Sequence, residues 1–234
     1  VYYIELYQCL FLWSSYLYLN TGADMKNKVG ILKNLIDEQT VEQIIQKYEM
    51  LPKKDDGLRF EADTLIGEDY SGKWKEKLQT ILAPHHDADI SYAGIFSDYA
   101  PGGIHSDGWI DSPQSLGYTF LIPLKFNYTN NATVVFEETS EKAVTFNEAT
   151  GLGNLGILSY DQKPLPKSDT FLDPQFKDKW LSHIPENQLP FTVVDVLPWT
   201  VGSAVYFPRK NFHASAYFPT ENCVRMGIVI LTNA

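Results

Sequence analysis

Two spacings of hydrophobic residues divide the chain. Between residues 25 and 83 apolar side chains recur at helical intervals: Leu32, Leu35 and Ile36, then Val41, Ile44, Ile45 and Tyr48, then Trp74, Leu78, Ile81 and Leu82. After Pro84 the period shortens. Runs rich in Val, Ile, Phe, Tyr and Thr, separated by Gly, Pro, Asn and Asp, predict strands over 90–97, 103–109, 117–125, 132–137, 142–147, 191–197, 203–207, 211–217 and 223–232. Many short strands with turn signals between them, and no helices alternating with them, predict a sandwich or barrel. The stretch from 148 to 190 interrupts the pattern with Pro164, Pro166, Pro174, Pro185 and Pro190, and reads as a loop insertion with one short helix near 174–182.

The expected organisation is therefore α+β and mainly β: a helical part over 25–89 packing on a barrel over 90–234. The opening stretch, VYYIELYQCLFLWSSYLYLNTGAD, fits neither part. It is apolar, but no basic segment precedes it, no small-residue cleavage site follows, and Glu5 and Gln8 interrupt it. Residues 1–24 are read as a non-native upstream segment, with the native start at Met25.

Composition narrows the function. A chain of 234 residues, 44% hydrophobic, suffices for one large core. Its net charge of −10 offers no basic field for a nucleic-acid backbone, so no nucleic-acid partner is expected. No membrane partner is expected either. Two cysteines, Cys9 and Cys223, cannot form a disulfide framework for a chain of this length, which predicts a reducing, cytoplasmic setting. Gly151, Gly153 and Gly156 match a dinucleotide-binding fingerprint, but Pro164 and Pro166 follow where a phosphate-binding helix is needed, so the match reads as a loop.

The chemistry gathers around His105 and Asp107. On an extended segment positions i and i+2 face one side, so an imidazole and a carboxylate can converge on one ion. A third ligand must come from elsewhere. Of the five histidines, His85 and His86 sit in a turn, where solvation or capping is expected, and His183 sits in the insertion. His213 lies in a β-rich run with Asn211, Ser215 and Tyr217 on its own side. Two imidazoles and one carboxylate leave open positions on an octahedral ion, the arrangement of non-haem Fe(II) oxygenases, whereas structural zinc prefers four closed ligands with thiolates. A chelating 2-oxo acid with a distal carboxylate calls for a fixed guanidinium, and Arg225 lies within the apolar run CVRMGIVIL. Trp109, Tyr118, Phe212 and Tyr217 are candidate pocket walls, and Arg209 and Lys210 read as a solvated loop.

These residues resemble the Fe(II)/2-oxoglutarate-dependent dioxygenases with the double-stranded β-helix (jelly-roll, cupin-like) fold, in the style of the prolyl-4-hydroxylase-like branch. The resemblance covers residues 90–234. It is carried by YAPGGIHSD (99–107), by YTFLIPLKFNYTNNATVVFEE (118–138), and by the Pro, Gly, Phe, His and Arg of LPWTVGSAVYFPRKNFHASAYFPTENCVRMGIVIL. It implies His105, Asp107 and His213 as iron ligands, and Arg225 as the anchor of the 2-oxoglutarate C5 carboxylate. Thr119 and Leu121 then face the cavity. The implied cofactors are Fe(II), 2-oxoglutarate and O2, and the implied partner is a small-molecule or peptide substrate. Pro123 stands where many members of that branch carry a tyrosine that helps to hold the C5 carboxylate, which leaves Thr119, Tyr206 and Ser215 as candidates for a second anchor. Halogenating relatives lack a carboxylate at the Asp107 position, so its presence implies hydroxylation. The alternative is a cupin-like metal-binding barrel, an isomerase or non-catalytic binder, which has no need of Arg225.

Overall fold

The structure, a computed structural model, describes residues 28–55, 59–62, 73–87, 89–108, 115–141, 143–145, 173–184 and 191–234. The expected boundary at Met25, Trp109 and the loop with Gly151, Gly153 and Gly156 lie outside them.

After Pro84 the short-period pattern becomes nine strands among the described residues: β4 (Ile90–Asp98), β5 (His105–Ser106), β6 (Leu116–Phe126), β7 (Ala132–Thr139), β8 (Val144–Thr145), β9 (Val193–Pro198), β10 (Ala204–Pro208), β11 (Asn211–Ser215) and β12 (Arg225–Asn233). Each falls on a predicted run. The region read as wholly helical contains helices α1 (Glu38–Met50) and α2 (Lys73–Leu82), but also the short strands β1 (Gly30–Leu32), β2 (Lys54–Asp55) and β3 (Arg59–Ala62). Leu32, expected on a helix, instead extends the sheet: β1 pairs with β10, with Ile31 opposite Val205.

Among the described residues all pairings are antiparallel and form two sheets. The larger has the order β1-β10-β6-β12-β4-β3-β2 and the smaller β8-β5-β11-β7-β9. Strands β10, β6, β12 and β4 face β5, β11, β7 and β9, which is the double-stranded β-helix. Between the sheets lies an aromatic and aliphatic cluster of Phe96, Val135, Leu197, Trp199, Val205 and Phe207.

Helices cover the outer faces. Helix α1 starts where the Asp37 carboxylate accepts from the Thr40 backbone N–H at 2.6 Å, and it stops at Leu51, the residue before Pro52. Its buried residues Val41, Ile44 and Tyr48 recur at helical spacing and pack with Phe120, Ile122, Ile228 and Ile230 on the back of the larger sheet. At the entry to α1, the Ile36 N–H donates to the Gly202 carbonyl at 2.9 Å. Gly202 has φ of +73°, and a Cβ there would meet the Ile36 carbonyl oxygen at 2.5 Å, so only glycine fits this turn.

The insertion yields the expected short helix, α3 (Pro174–Trp180), with Asp173 as N-cap. Phe176, Trp180, Leu181 and Ile184 cover the back of the smaller sheet beside Phe136 and Phe212. Phe212 is therefore core and not a pocket wall, and Tyr118 packs in the cluster beneath the helices. No helix among the described residues is long and apolar enough to cross a membrane.

Candidate metal centre

His105 and His213 are direct cross-strand partners on β5 and β11. Their rings lie 4.1 Å apart between centroids. Asp107 follows β5 and turns its carboxylate toward both, Oδ1 at 3.9 Å from His105 Nε2 and Oδ2 at 3.5 Å from His213 Nε2. One donor atom from each of the three lies within 4.8 Å of the other two.

The second nitrogen of each ring is engaged. His105 Nδ1 lies 2.9 Å from the Gly103 carbonyl, and His213 Nδ1 lies 3.2 Å from the Asn211 carbonyl. A carbonyl can only accept, so each Nδ1 carries the proton and each Nε2 presents a lone pair toward Asp107. At His213 protonation does not relieve that juxtaposition. Burial first, and then the charges of His105 and Arg59, lower the His213 pKa to about 4, against the opposing pull of Asp107 and the Asn211 carbonyl. Burial alone would raise the Asp107 carboxyl, but His213, His105, the Thr119 hydroxyl and Arg209 outweigh it and hold it below the ordinary carboxylate range.

With each Nδ1–H spent on a carbonyl, both Nε2 atoms and the carboxylate face one another, a donor set complementary to a divalent cation. The 3.5 and 3.9 Å separations fall below the ~4.2 Å that two ~2.1 Å metal–ligand bonds can span. The side chains of His105 and Asp107 are 28% and 18% exposed against 5% for His213, so the set opens to solvent on the β5 side.

Surrounding groups hold the ligands. Thr119 Oγ1 donates to Asp107 Oδ2 at 2.7 Å. Arg209 locks the Asp107 backbone from both sides: the Asp107 N–H donates to the Arg209 carbonyl at 3.1 Å, and Arg209 Nε donates to the Asp107 carbonyl at 3.0 Å. Its Nη1 also donates to the Thr232 carbonyl at 3.1 Å. Arg209 is 5% exposed, so the expectation of a solvated arginine there is wrong, because carbonyl oxygens at the ends of two elements need its donors. The loop before His105 is tied down at the Gly102 carbonyl, which accepts from Ser215 Oγ and His183 Nε2, each at 3.1 Å. His86 is not a solvated turn residue either. Its Nε2 lies 3.0 Å from Thr232 Oγ1 and its ring packs against Tyr118 and Phe120.

Arg225 stands apart from this group. Thr119 pairs with Leu231 on β12, whereas Arg225 starts that strand opposite Phe126 and Asp98. Its guanidinium lies 3.7 Å from the centroid of Trp199, facing the cluster between the sheets. Phe207 of the same cluster contacts His213, with ring centroids 4.4 Å apart. The metal-type donors and the buried arginine therefore border one inter-sheet interior. Arg225 Nη1 donates to Asp98 Oδ2, and Arg59 Nε lies 3.1 Å from Asp98 Oδ1. Thr119, considered as a second carboxylate anchor, spends its hydroxyl on Asp107, and Ser215 spends its own on Gly102.

No protein-family profile and no curated protein matches the chain. Solved structures do. The epimerase SnoN, crystallised with Fe3+, alpha-ketoglutarate and a nogalamycin compound, superposes with a TM-score of 0.51 at 13% identity, over 92% of this chain and 82% of its own. The chain has the fold of the iron- and 2-oxoglutarate-dependent oxygenases. The same oxygenase fold relates it to EvdO2 from Micromonospora carbonacea var. aurantiaca, at a TM-score of 0.50 and 12% identity, over 90% of this chain and 91% of the other. A prolyl-4-hydroxylase from Pseudomonas putida aligns at a TM-score of 0.42 and 11% identity, over 88% and 91%.

Proposed function

We propose that this protein is a non-haem Fe(II)- and 2-oxoglutarate-dependent oxygenase that hydroxylates a C–H bond of a small-molecule or peptide substrate. The observation that carries the reading is the donor set: two imidazole lone pairs and an ionised carboxylate converge, with three further octahedral positions left for chelator and O2. His105, Asp107 and His213 would hold the iron. The metal and co-substrate, when bound, supply the oxidising power through oxidative decarboxylation of 2-oxoglutarate.

The chain's own residues do the rest. The Gly103 and Asn211 carbonyls fix both imidazoles with Nε2 toward the metal position, and Thr119 orients the Asp107 carboxylate. Phe207 and the neighbouring apolar cluster exclude water on the deep side of His213. Arg225, 3% exposed, would receive the distal carboxylate of the co-substrate. SnoN is an epimerase, so the fold is compatible with other outcomes, and Asp107, the carboxylate that halogenating relatives lack, favours hydroxylation over halogenation.

Arg225 separates this reading from a cupin-like metal barrel. Truncating one partner of a buried charge-assisted pair costs about 2 to 5 kcal/mol, on the order of 30-fold to several-thousand-fold in affinity. Arg225→Ala should weaken 2-oxoglutarate binding to the anaerobic Fe(II) protein by that margin and leave iron affinity nearly intact, while Arg225→Lys recovers part of the loss. Equal 2-oxoglutarate affinity in wild type and both variants would favour the cupin reading.

A further inference from the structure

Arg225 shares its acid. Arg59 on β3 and Arg225 on β12 flank β4, and both stand opposite Asp98 in the sheet register. The Asp98 carboxylate faces both: Oδ1 forms an ion pair with Arg59 Nε at 3.1 Å without hydrogen-bond geometry, and Oδ2 accepts from Arg225 Nη1. Its side chain is 2% exposed. Arg59 reaches inward as well, its guanidinium 4.6 Å from the centroid of Phe96, a member of the inter-sheet cluster.

This division leaves Arg225 incompletely satisfied. Among the described residues its Nε is buried without an acceptor, and Asp98 is the one acid that pairs with it. A buried guanidinium that shares half a carboxylate and keeps an unspent N–H is costly without a further anion. Its stacking over Trp199, with Phe218 at 5.5 Å, fixes the plane of the fork and leaves its edge as the place for that anion.

Resting on the proposed role of Arg225, we infer that Arg59 is a specificity-determining residue of the co-substrate site: by holding one oxygen of Asp98 it keeps Arg225 from being neutralised internally, and so makes the site select a 2-oxo acid with a distal carboxylate. Arg59 comes from β3, which lies between β4 and the edge strand β2 and outside the eight-stranded barrel core, so the selectivity is built by the added N-terminal part of the chain. Without Arg59, Asp98 serves Arg225 alone, and the site loses its demand for an incoming carboxylate.

The test compares 2-oxoglutarate with 2-oxopentanoate, which keeps the metal-chelating end and lacks the distal carboxylate, by calorimetric titration of the Mn(II)-loaded protein. Wild type should prefer 2-oxoglutarate. Arg59→Gln should weaken 2-oxoglutarate about tenfold, the scale of one partly screened charge at close range, and leave 2-oxopentanoate unchanged. Arg59→Lys should retain most of the preference, because it keeps the charge and loses only the geometry. If Arg59→Gln does not fold, Arg59→Met, which preserves the stem over Phe96, takes its place. A full preference in the uncharged variants, or equal loss of both acids, would overturn the role of Arg59 alone. A wild type that binds both acids equally would sink the reading of Arg225 and this inference with it.

Discussion

Single hydrogen bonds decide how the candidate ligands are presented. Thr119 Oγ1 donates to Asp107 Oδ2, the oxygen that faces His213. Thr119→Val keeps the shape and removes the donor. Metal affinity should fall about 10- to 100-fold, the usual effect of losing a partner behind a ligand, with the thermal transition little changed. Unchanged Zn(II) or Fe(II) affinity on titration would mean that Asp107 is oriented by its backbone lock with Arg209 alone. His183 gives a second residue-scale expectation. Burial, against the Gly102 carbonyl and together with Arg225, lowers its pKa from 6.5 to about 4. The unfolded chain therefore takes up a proton that the folded chain refuses, and stability is lost as pH falls from 6.5 toward 4. Denaturant unfolding of the metal-free protein at about pH 7.5 and about pH 5 should show this loss, and His183→Gln should reduce it. His213, with a pKa also lowered to about 4, leaves a remaining slope of the same sign. An identical pH slope in His183→Gln would exclude His183 as a source.

At the scale of elements, α1 is scaffold. Ile44 is fully buried between the helix and the larger sheet, on the side away from the metal-type donors. Ile44→Ala should cost about 2 to 5 kcal/mol in unfolding free energy and leave metal affinity of the folded protein unchanged. A matching loss of metal affinity would show that the helix side shapes the site. The strands after Pro84 were legible because turn residues bound each run and because Val, Ile, Phe, Tyr and Thr fill it, although no two consecutive strands among them pair with each other. The short strands earlier in the chain were not, since three apolar residues such as Gly30–Leu32 carry no period. Ile31 finds its partner at Val205, far along the chain, and no local signal encodes that pairing. Asp37 as helix cap and Pro174 at the start of α3 are local signals, and the elements they open formed where the pattern put them.

For the whole molecule, the fold's contribution is to bring residues 105, 107 and 213 together from β5, the turn after it and β11, and to set Thr119 of β6 behind them. The grouping of these three residues was legible because a His and an Asp two positions apart on an extended segment call for a third donor, and a histidine in a β-rich run was the candidate for it. Arg209 was missed for want of the argument applied to Arg225: an arginine bordered by AVYFP and NFHAS is as poorly placed for solvent as one within CVRMGIVIL. Arg59 was hidden by the helical reading of its surroundings. The central claim is that these three side chains hold one metal that chelates a 2-oxo acid. The most direct measurement is an anaerobic titration of the Fe(II)-loaded protein with 2-oxoglutarate, followed by visible absorption, in wild type and Asp107→Ala. We expect one iron per chain, a visible charge-transfer band that saturates with 2-oxoglutarate in wild type, and loss of both tight iron binding and the band in the variant. Iron bound equally by Asp107→Ala, or a wild-type iron protein that gives no band with 2-oxoglutarate, would contradict it.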